Sequence, residues 1–358
     1  MSGRAVGKVQ SGKPNAATIE VLTQIWERVL QRSPISTEDK FYDVGGTDPL
    51  ADKVFAEIAQ AFNRQLPTAA ICHAPTISAL AALLEQPTLP RFSPFVPLKP
   101  GSKNPPILIA HGVGGRASFS ELARHIETEN PIYGIQSRGV DGREEPLPRI
   151  EDMAEYYLDG LRELQPQGPY ILIGYSFGGL IALEMAQRLS EDGKPVALLA
   201  LVDTYPHPCY LPLAERVWLG AKRIKGHLSD LQRKPLRVAS AQVFAALESR
   251  LPISRAGKPV APRSEASRLS FSETTLHVKQ SDFLALKRYR PRFYRGKIKF
   301  VRPEANSYLP NDPTAVWKNL AAELEVETVP GDHLGMIGTH FESLAAVLTK
   351  YVREASAE

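Results

Sequence analysis

Cysteine is nearly missing from this chain. Its 358 residues hold two, Cys72 and Cys209, too far apart to suggest a disulfide framework or a cysteine-rich zinc site. No metal centre is expected. Long apolar runs are missing too: the longest covers residues 196–202, whereas a bilayer span takes about 20 residues. The opening MSGRAVGKVQSGKPN has no apolar stretch of the kind a secretory signal carries. These absences argue against a membrane protein or a secreted one, and they fit a reducing cytoplasm. What is there is ordinary for a globular protein, 43% hydrophobic and 23% charged residues, at a length that favours two domains over one.

An excess of one charge is also lacking, since the formal net charge is only +4. The distribution is uneven. Residues 206–300 carry 20 Lys and Arg against 6 Asp and Glu, so the rest of the chain is acidic. A nucleic-acid partner is not expected, because no aromatics are interleaved among the basic residues in a recognition pattern. Two readings stay open: a solvated basic surface, and a landing site for an acidic partner or a phosphate.

Along the chain, residues 1–14 read as a disordered basic tail. Residues 15–87 read as a small helical bundle. Apolar positions Ile19, Leu22, Ile25, Trp26, Val29 and Leu30 recur at helical spacing. A second helix is expected from about Pro49 to Phe62, and APTISALAALLE supplies a last short one. Residues 88–105 read as a linker, because 87–106 contain seven prolines and such composition favours an extended path. From 106 to 358 short apolar runs of buried-strand type alternate with helical segments, at ILIA, IYGI, YILIG, ALLALV, KIKFV and EVETV. That alternation predicts an α/β fold with a mostly parallel sheet covered on both faces. Residues 206 to about 290 interrupt it with basic, helix-prone sequence, an insertion of the kind that forms lids.

The chemistry concentrates where YILIG runs into GYSFGG. Gly-x-Ser-x-Gly between a strand and a helix is the context of a nucleophile elbow, in which a sharp turn exposes Ser176. A serine needs a base held by a third group. In an α/β-hydrolase sheet the chain order is Ser, acid, His, and Asp203 after ALLALV and His333 in VPGDHLGM satisfy it. His340 is the nearest rival to His333 but falls on the next helix. Asp332 reads as a loop-shaping residue. The oxyanion hole would draw one backbone N–H from Phe177 and another from Gly112 or Val113 in HGVGG. His111 reads as a structural hydrogen-bonding residue.

With PFVPLKPG, HGVGG, GYSFGGLIALEMA, LLALVD, YRPRFYRGKIKFVR and VPGDHLGMI, roughly residues 94–352 resemble the thioesterase domains of nonribosomal peptide and polyketide synthesis. The resemblance implies an α/β-hydrolase fold with a helical lid. It also implies an acyl-enzyme on Ser176, with His333 as base and Asp203 as its orienter, and release by hydrolysis or cyclisation. Its partners would be an acyl or peptidyl carrier protein, a synthetase module, or acyl-CoA. Alternatives are an editing acyl-carrier or acyl-CoA thioesterase, a general carboxylesterase, and a noncatalytic interaction module.

FYDVGGTDPLA, residues 41–51, resembles the phosphopantetheine attachment motif of carrier domains, Asp-x-Gly-Gly-x-Ser-Leu. Aligning Asp43, Gly45 and Gly46 puts Asp48 at the serine. A carboxylate cannot form the same stable phosphodiester, whereas Asp48 followed by Pro49 makes a good helix cap. Thr47 is a poor substitute if it stands one residue ahead of the helix start. Phosphopantetheine is therefore expected on the substrate donor, not on this chain, and the thioesterase binds no cofactor. The acidic bundle, with 5 basic and 9 acidic residues over 18–86, would dock on the basic lid.

Overall fold

The computed structural model describes residues 14–67, 70–89, 93–116, 119–211, 213, 216–217, 271–305 and 312–357. All but the last residue of the expected tail, 1–14, and most of the expected lid fall outside the described residues. The chain divides into two compact units, Met1–His207 with Leu269–Glu358, and Pro208–Arg268; the first holds every element below.

The bundle forms where helical periodicity and capping agree. Helix α1 (Ala16–Leu30) begins at Asn15, whose side chain accepts the Ala17 N–H, and it buries Leu22, Ile25 and Trp26. A short 3-10 helix (Phe41–Val44) brings the Phe41 ring edge-on to Trp26 at 5.1 Å. Helix α2 (Asp48–Phe62) buries Ala51, Val54, Phe55 and Ile58, the face its spacing predicts, with Phe62 half-buried at its end. The short α3 (Ala70–His73) and α4 (Ile77–Glu85), capped by Thr76, close the bundle. Each large apolar side chain fully buried here contributes about 1.5–3 kcal/mol.

One detail at α2 corrects the sequence reading. Thr47, not Asp48, is the N-cap, without a side-chain capping bond, and Asp48 is the first helical residue with Pro49 behind it. Pro49 allows the shift, because a missing N–H costs nothing anywhere in the first turn.

Among the described residues, seven strands form one sheet in the order β1-β3-β2-β4-β5-β6-β7. They are β1 (Phe95–Lys99), β2 (Ile107–Ala110), β3 (Ile132–Ile135), β4 (Tyr170–Tyr175), β5 (Val196–Val202), β6 (Tyr294–Pro303) and β7 (Ala321–Val329). β2 and β4 are buried along their whole length, as parallel strands covered on both faces must be. Helices α5 (Ser120–His125), α6 (Ile150–Leu164) and α7 (Phe177–Glu191) lie between the early strands in sequence. α8 (Phe271–Arg288) precedes β6, α9 (Thr314–Trp317) precedes β7, and α10 (Gly335–Gly338) and α11 (Phe341–Ala357) follow it. This is the expected α/β-hydrolase arrangement.

The proline-rich stretch differs from a plain linker. Its residues 95–99 are β1, antiparallel to β3, with the register slipping between Pro97 and Lys99. An edge strand tolerates proline because one row of its N–H groups has no ladder partner, and Pro97 is exposed.

Bundle and sheet domain meet through ion pairs. Asp52 pairs with Arg116 at 3.0 Å and Asp43 with Arg124 at 3.0 Å. Arg143 donates to the carbonyl of Leu89 at 3.0 Å. The basic partners of Asp52 and Asp43 therefore come from the segment after β2 and from α5. Among the described residues, the insertion enters through Thr275 of α8, which also accepts from Arg116. Docking on the remainder of the lid falls outside the described residues.

Candidate active site

Ser176 joins β4 to α7 with φ 54° and ψ −118°, a conformation that costs a non-glycine residue on the order of 1–3 kcal/mol. Its N–H donates to the Val202 carbonyl at 2.8 Å, which ties the turn to the end of β5. The glycine two positions on is required by contact: a Cβ at Gly178 would stand 2.3 Å from the His111 carbonyl oxygen and 2.4 Å from that of Ala110. Backbone cannot retreat from such an overlap, so this approach of α7 to β2 exists only with glycine.

Asp203 leaves β5 directly opposite. It has φ 43°, is 2% exposed, and donates its N–H to Val301 at 2.8 Å. Its Oδ2 accepts from His333 Nδ1 at 2.6 Å. His333 lies between β7 and α10, and Tyr175, the residue before Ser176, holds it. The Tyr175 ring stacks on the imidazole with centroids 5.0 Å apart and planes at 22°, and its hydroxyl donates to the His333 carbonyl at 2.7 Å. Burial, reinforced by the charges of Asp203 and Asp332, raises the Tyr175 phenol well above its usual range, so it stays a donor. Asp332 accepts the Gly335 N–H at 2.7 Å and so shapes the loop. His340 is exposed at the start of α11; Asp203 is bonded to His333 instead. The indole of Trp317 fixes the residue after Asp203, donating to the Thr204 carbonyl at 3.0 Å.

The loop HGVGG follows β2. His111 is fully buried, with Nδ1 2.8 Å from the Gly112 carbonyl and Nε2 3.1 Å from the Tyr157 hydroxyl. A carbonyl only accepts, so Nδ1 carries the proton and Nε2 receives the phenolic one. Burial lowers His111 to about 4, partly offset by its bond to Gly112, and the ring is neutral near pH 7. Further along the loop, the N–H of Gly114 goes to Asp282 Oδ2 at 2.9 Å and that of Gly115 to the Gly112 carbonyl at 3.3 Å. Phe177, as the first residue of α7, has an N–H without an intrahelical partner.

The structure thus joins Asp203 to His333 and sets both against the strand that carries Ser176. Tyr175, Tyr157, Trp317 and Asp282 were not singled out from the sequence. Tyr175 had a signal, its place inside GYSFGG; the other three lie in stretches with no motif. A surface hollow of about 630 Å³ elsewhere is lined by charged residues of α6 and α7. Those residues pair among themselves, as in Arg188–Glu184 and Arg162–Asp192, and none belongs to the loops around Ser176. Among the described residues, no helix is long and apolar enough to cross a membrane.

Residues 105–351 match the family described as thioesterase domain, and residues 20–84 match that described as phosphopantetheine attachment site. A dimodular nonribosomal peptide synthase of Bacillus subtilis is 31% identical over 297 residues, 81% of this chain and 12% of that protein. An indigoidine synthase of Dickeya dadantii is 36% identical over 179 residues, 50% of this chain and 12% of its own length. The chain therefore spans a small part of these relatives. Among solved structures, a holo four-domain nonribosomal peptide synthetase bound to AMP and glycine aligns over 97% of this chain and 27% of its own. The TM-score is 0.58 and the identity 22%, a likeness of fold. The second family ties phosphopantetheine to the N-terminal region, while the thioesterase itself needs no cofactor.

Proposed function

This chain belongs to the thioesterase-domain family and carries a carrier-type domain ahead of it, as in nonribosomal peptide synthetases; on that premise we propose a serine thioesterase that frees acyl or peptidyl chains from phosphopantetheine thioesters through an acyl-enzyme on Ser176. The observation that carries the reading is the 2.6 Å bond between His333 and Asp203, on a histidine stacked against the residue next to Ser176. With Nδ1–H given to Asp203, Nε2 is left as the base.

In this reading Nε2 of His333 takes the Ser176 proton as Oγ attacks the thioester carbonyl. Asp203, buried and bonded to Nδ1, stabilises the imidazolium. The N–H of Phe177 and that of Gly112 or Val113 receive the oxyanion, which fits the engagement of Gly114 and Gly115 elsewhere. Collapse breaks the C–S bond, and the thiolate takes the proton from His333. Water or an internal nucleophile, deprotonated by the same ring, then attacks the acyl carbon and restores Ser176. Ser176→Ala, tested on acyl-pantetheine thioesters, should abolish turnover in a folded protein; persisting turnover would sink the assignment.

Phosphopantetheine does not fit this chain's own attachment position. The motif needs an alcohol at the helix start, and Asp48 supplies a carboxylate there. Thr47 is exposed at the N-cap, one residue off the aligned position. The donor in this reading is external: a carrier protein, a synthetase module, or acyl-CoA. That observation favours a second reading, an editing thioesterase that clears acyl groups from other carriers. Comparing acyl-carrier, acyl-CoA and simple oxoester substrates of one chain length separates both readings from a general carboxylesterase. We assign residues 15–87 to the carrier-like domain and 106–358 to the thioesterase, with β1 joining the latter. Two cysteines far apart in the chain fit a cytoplasmic setting.

A further inference from the structure

Helix α8 lies across the loop that follows β2. That loop turns through Gly114 at φ 106° and Gly115 at φ 75°. A Cβ built on Gly114 would come 3.2 Å from Lys279, and one on Gly115 would come 3.0 Å from Val278. One turn further along α8, Asp282 accepts the Gly114 N–H at 2.9 Å. Asp282 is fully buried, and its other carboxyl oxygen has no hydrogen-bond partner among the described residues.

Such a group is expensive. Burying a carboxyl group with an unsatisfied oxygen is unfavourable, and an apolar residue of similar size would pack there without that penalty. Burial pushes its carboxyl up to about 7, while the Gly114 N–H pulls the other way. The other bonds on the loop come from nearby chain. His111 meets the Gly112 carbonyl, Gly115 donates to Gly112, and Ser137 donates to the Gly115 carbonyl at 2.8 Å. Among the described residues, Asp282 supplies the bond that reaches the Gly114–Gly115 turn from the insertion between β5 and β6.

We propose that Asp282 is a positioning residue for thioester cleavage: by holding the Gly114 N–H it fixes the turn that aims the N–H groups of Gly112 and Val113, and it couples α8 to the oxyanion site. The 113–114 peptide plane is clamped by that bond, and the two preceding N–H groups inherit its orientation. The proposal rests on the reading of Ser176 as nucleophile.

The test uses the full chain with Asp282→Leu, Asp282→Ala and Asp282→Asn. Asparagine keeps an acceptor for Gly114 without the charge; leucine and alanine do not, and alanine gives a second route if leucine impairs folding. Steady-state cleavage of an acyl-pantetheine thioester should show kcat lower by on the order of 10- to 100-fold in the leucine and alanine variants, the scale of a small misplacement at a reacting centre. KM should stay within about twofold, as for an interaction made mainly in the transition state, and asparagine should recover most of kcat. Hydrogen exchange across 107–116 should quicken at the Gly114 amide in the same two variants alone. Wild-type kcat in either of them, an asparagine variant as slow as alanine, or unchanged exchange would overturn the proposal. If Ser176→Ala keeps full turnover while exchange responds as expected, the clamp stands and the reading of the nucleophile falls.

Discussion

Replacing His111 with Gln should remove a loss of stability in mild acid that burial of its imidazole predicts. The imidazole is fully buried between a carbonyl that fixes its proton on Nδ1 and a phenol that occupies Nε2. Charging the ring would force Nε2–H against a hydroxyl that burial, and the charge of Asp282, hold firmly protonated. Burial lowers the folded value to about 4 from 6.5. Between those values the unfolded chain binds more protons than the native one, so stability falls as pH drops through that window. The gap corresponds to about 3 kcal/mol at its fullest, and about 2 kcal/mol of it is lost between pH 7 and pH 5. Urea unfolding by far-UV circular dichroism at several pH values reads this directly. The variant will be less stable at pH 7, having lost ring packing. Its decline from pH 7 to pH 5 should nevertheless be shallower than that of the wild type by about 2 kcal/mol. Parallel declines would refute the reasoning, because they would mean that His111 takes up a proton in the folded state as easily as in the unfolded one.

Asp203→Ala should cut kcat by on the order of 10⁴-fold with the fold retained by circular dichroism; a loss below about tenfold would detach Asp203 from catalysis. Gly178→Ala sets a methyl 2.3 Å from a backbone oxygen and should cost at least about 1–3 kcal/mol in denaturant unfolding, with loss of turnover; an unchanged midpoint would contradict the tight elbow. Neutralising Asp43 and Asp52 to Asn should weaken the hold of the bundle by about 1 kcal/mol or less per pair, since both pairs are part-exposed. Faster proteolysis between the two regions at low salt checks it, and unchanged cleavage would deny the pairs a role. Incubation with coenzyme A and a promiscuous phosphopantetheinyl transferase should leave the intact mass unchanged, and an adduct mapped to Thr47 would overturn the reading of Asp48.

Much of this molecule is legible in its residues. β2 and β3 fall on the apolar runs that announce them, and helices lie between the strands as the alternation predicts. Strands buried on both faces leave continuous apolar signals that polar loops interrupt. β1 was hidden because its prolines speak against a strand, and only its place at the sheet edge makes them harmless. At α2 the cap moved by one residue because Thr, Asp and Pro all suit a first turn, so composition alone could not choose among them. The pairing of Asp203 with His333 was readable because strand ends and chain order confine both. Asp282 was not: its partner is a backbone N–H 168 residues away, and a contact of that range leaves no local pattern. Tyr175 stood in plain view within the motif, but its stacking on His333 depends on where the loop after β7 returns.

The most direct measurement is the site of the acyl group. Brief exposure to a panel of acyl-pantetheine thioesters, rapid acid quenching and peptide mapping by mass should find the acyl group on the peptide containing Ser176. It should be lost in Ser176→Ala and accumulate slowly in His333→Ala. An acyl group on any other residue, or full turnover with Ser176 unmodified and replaceable, would contradict the account.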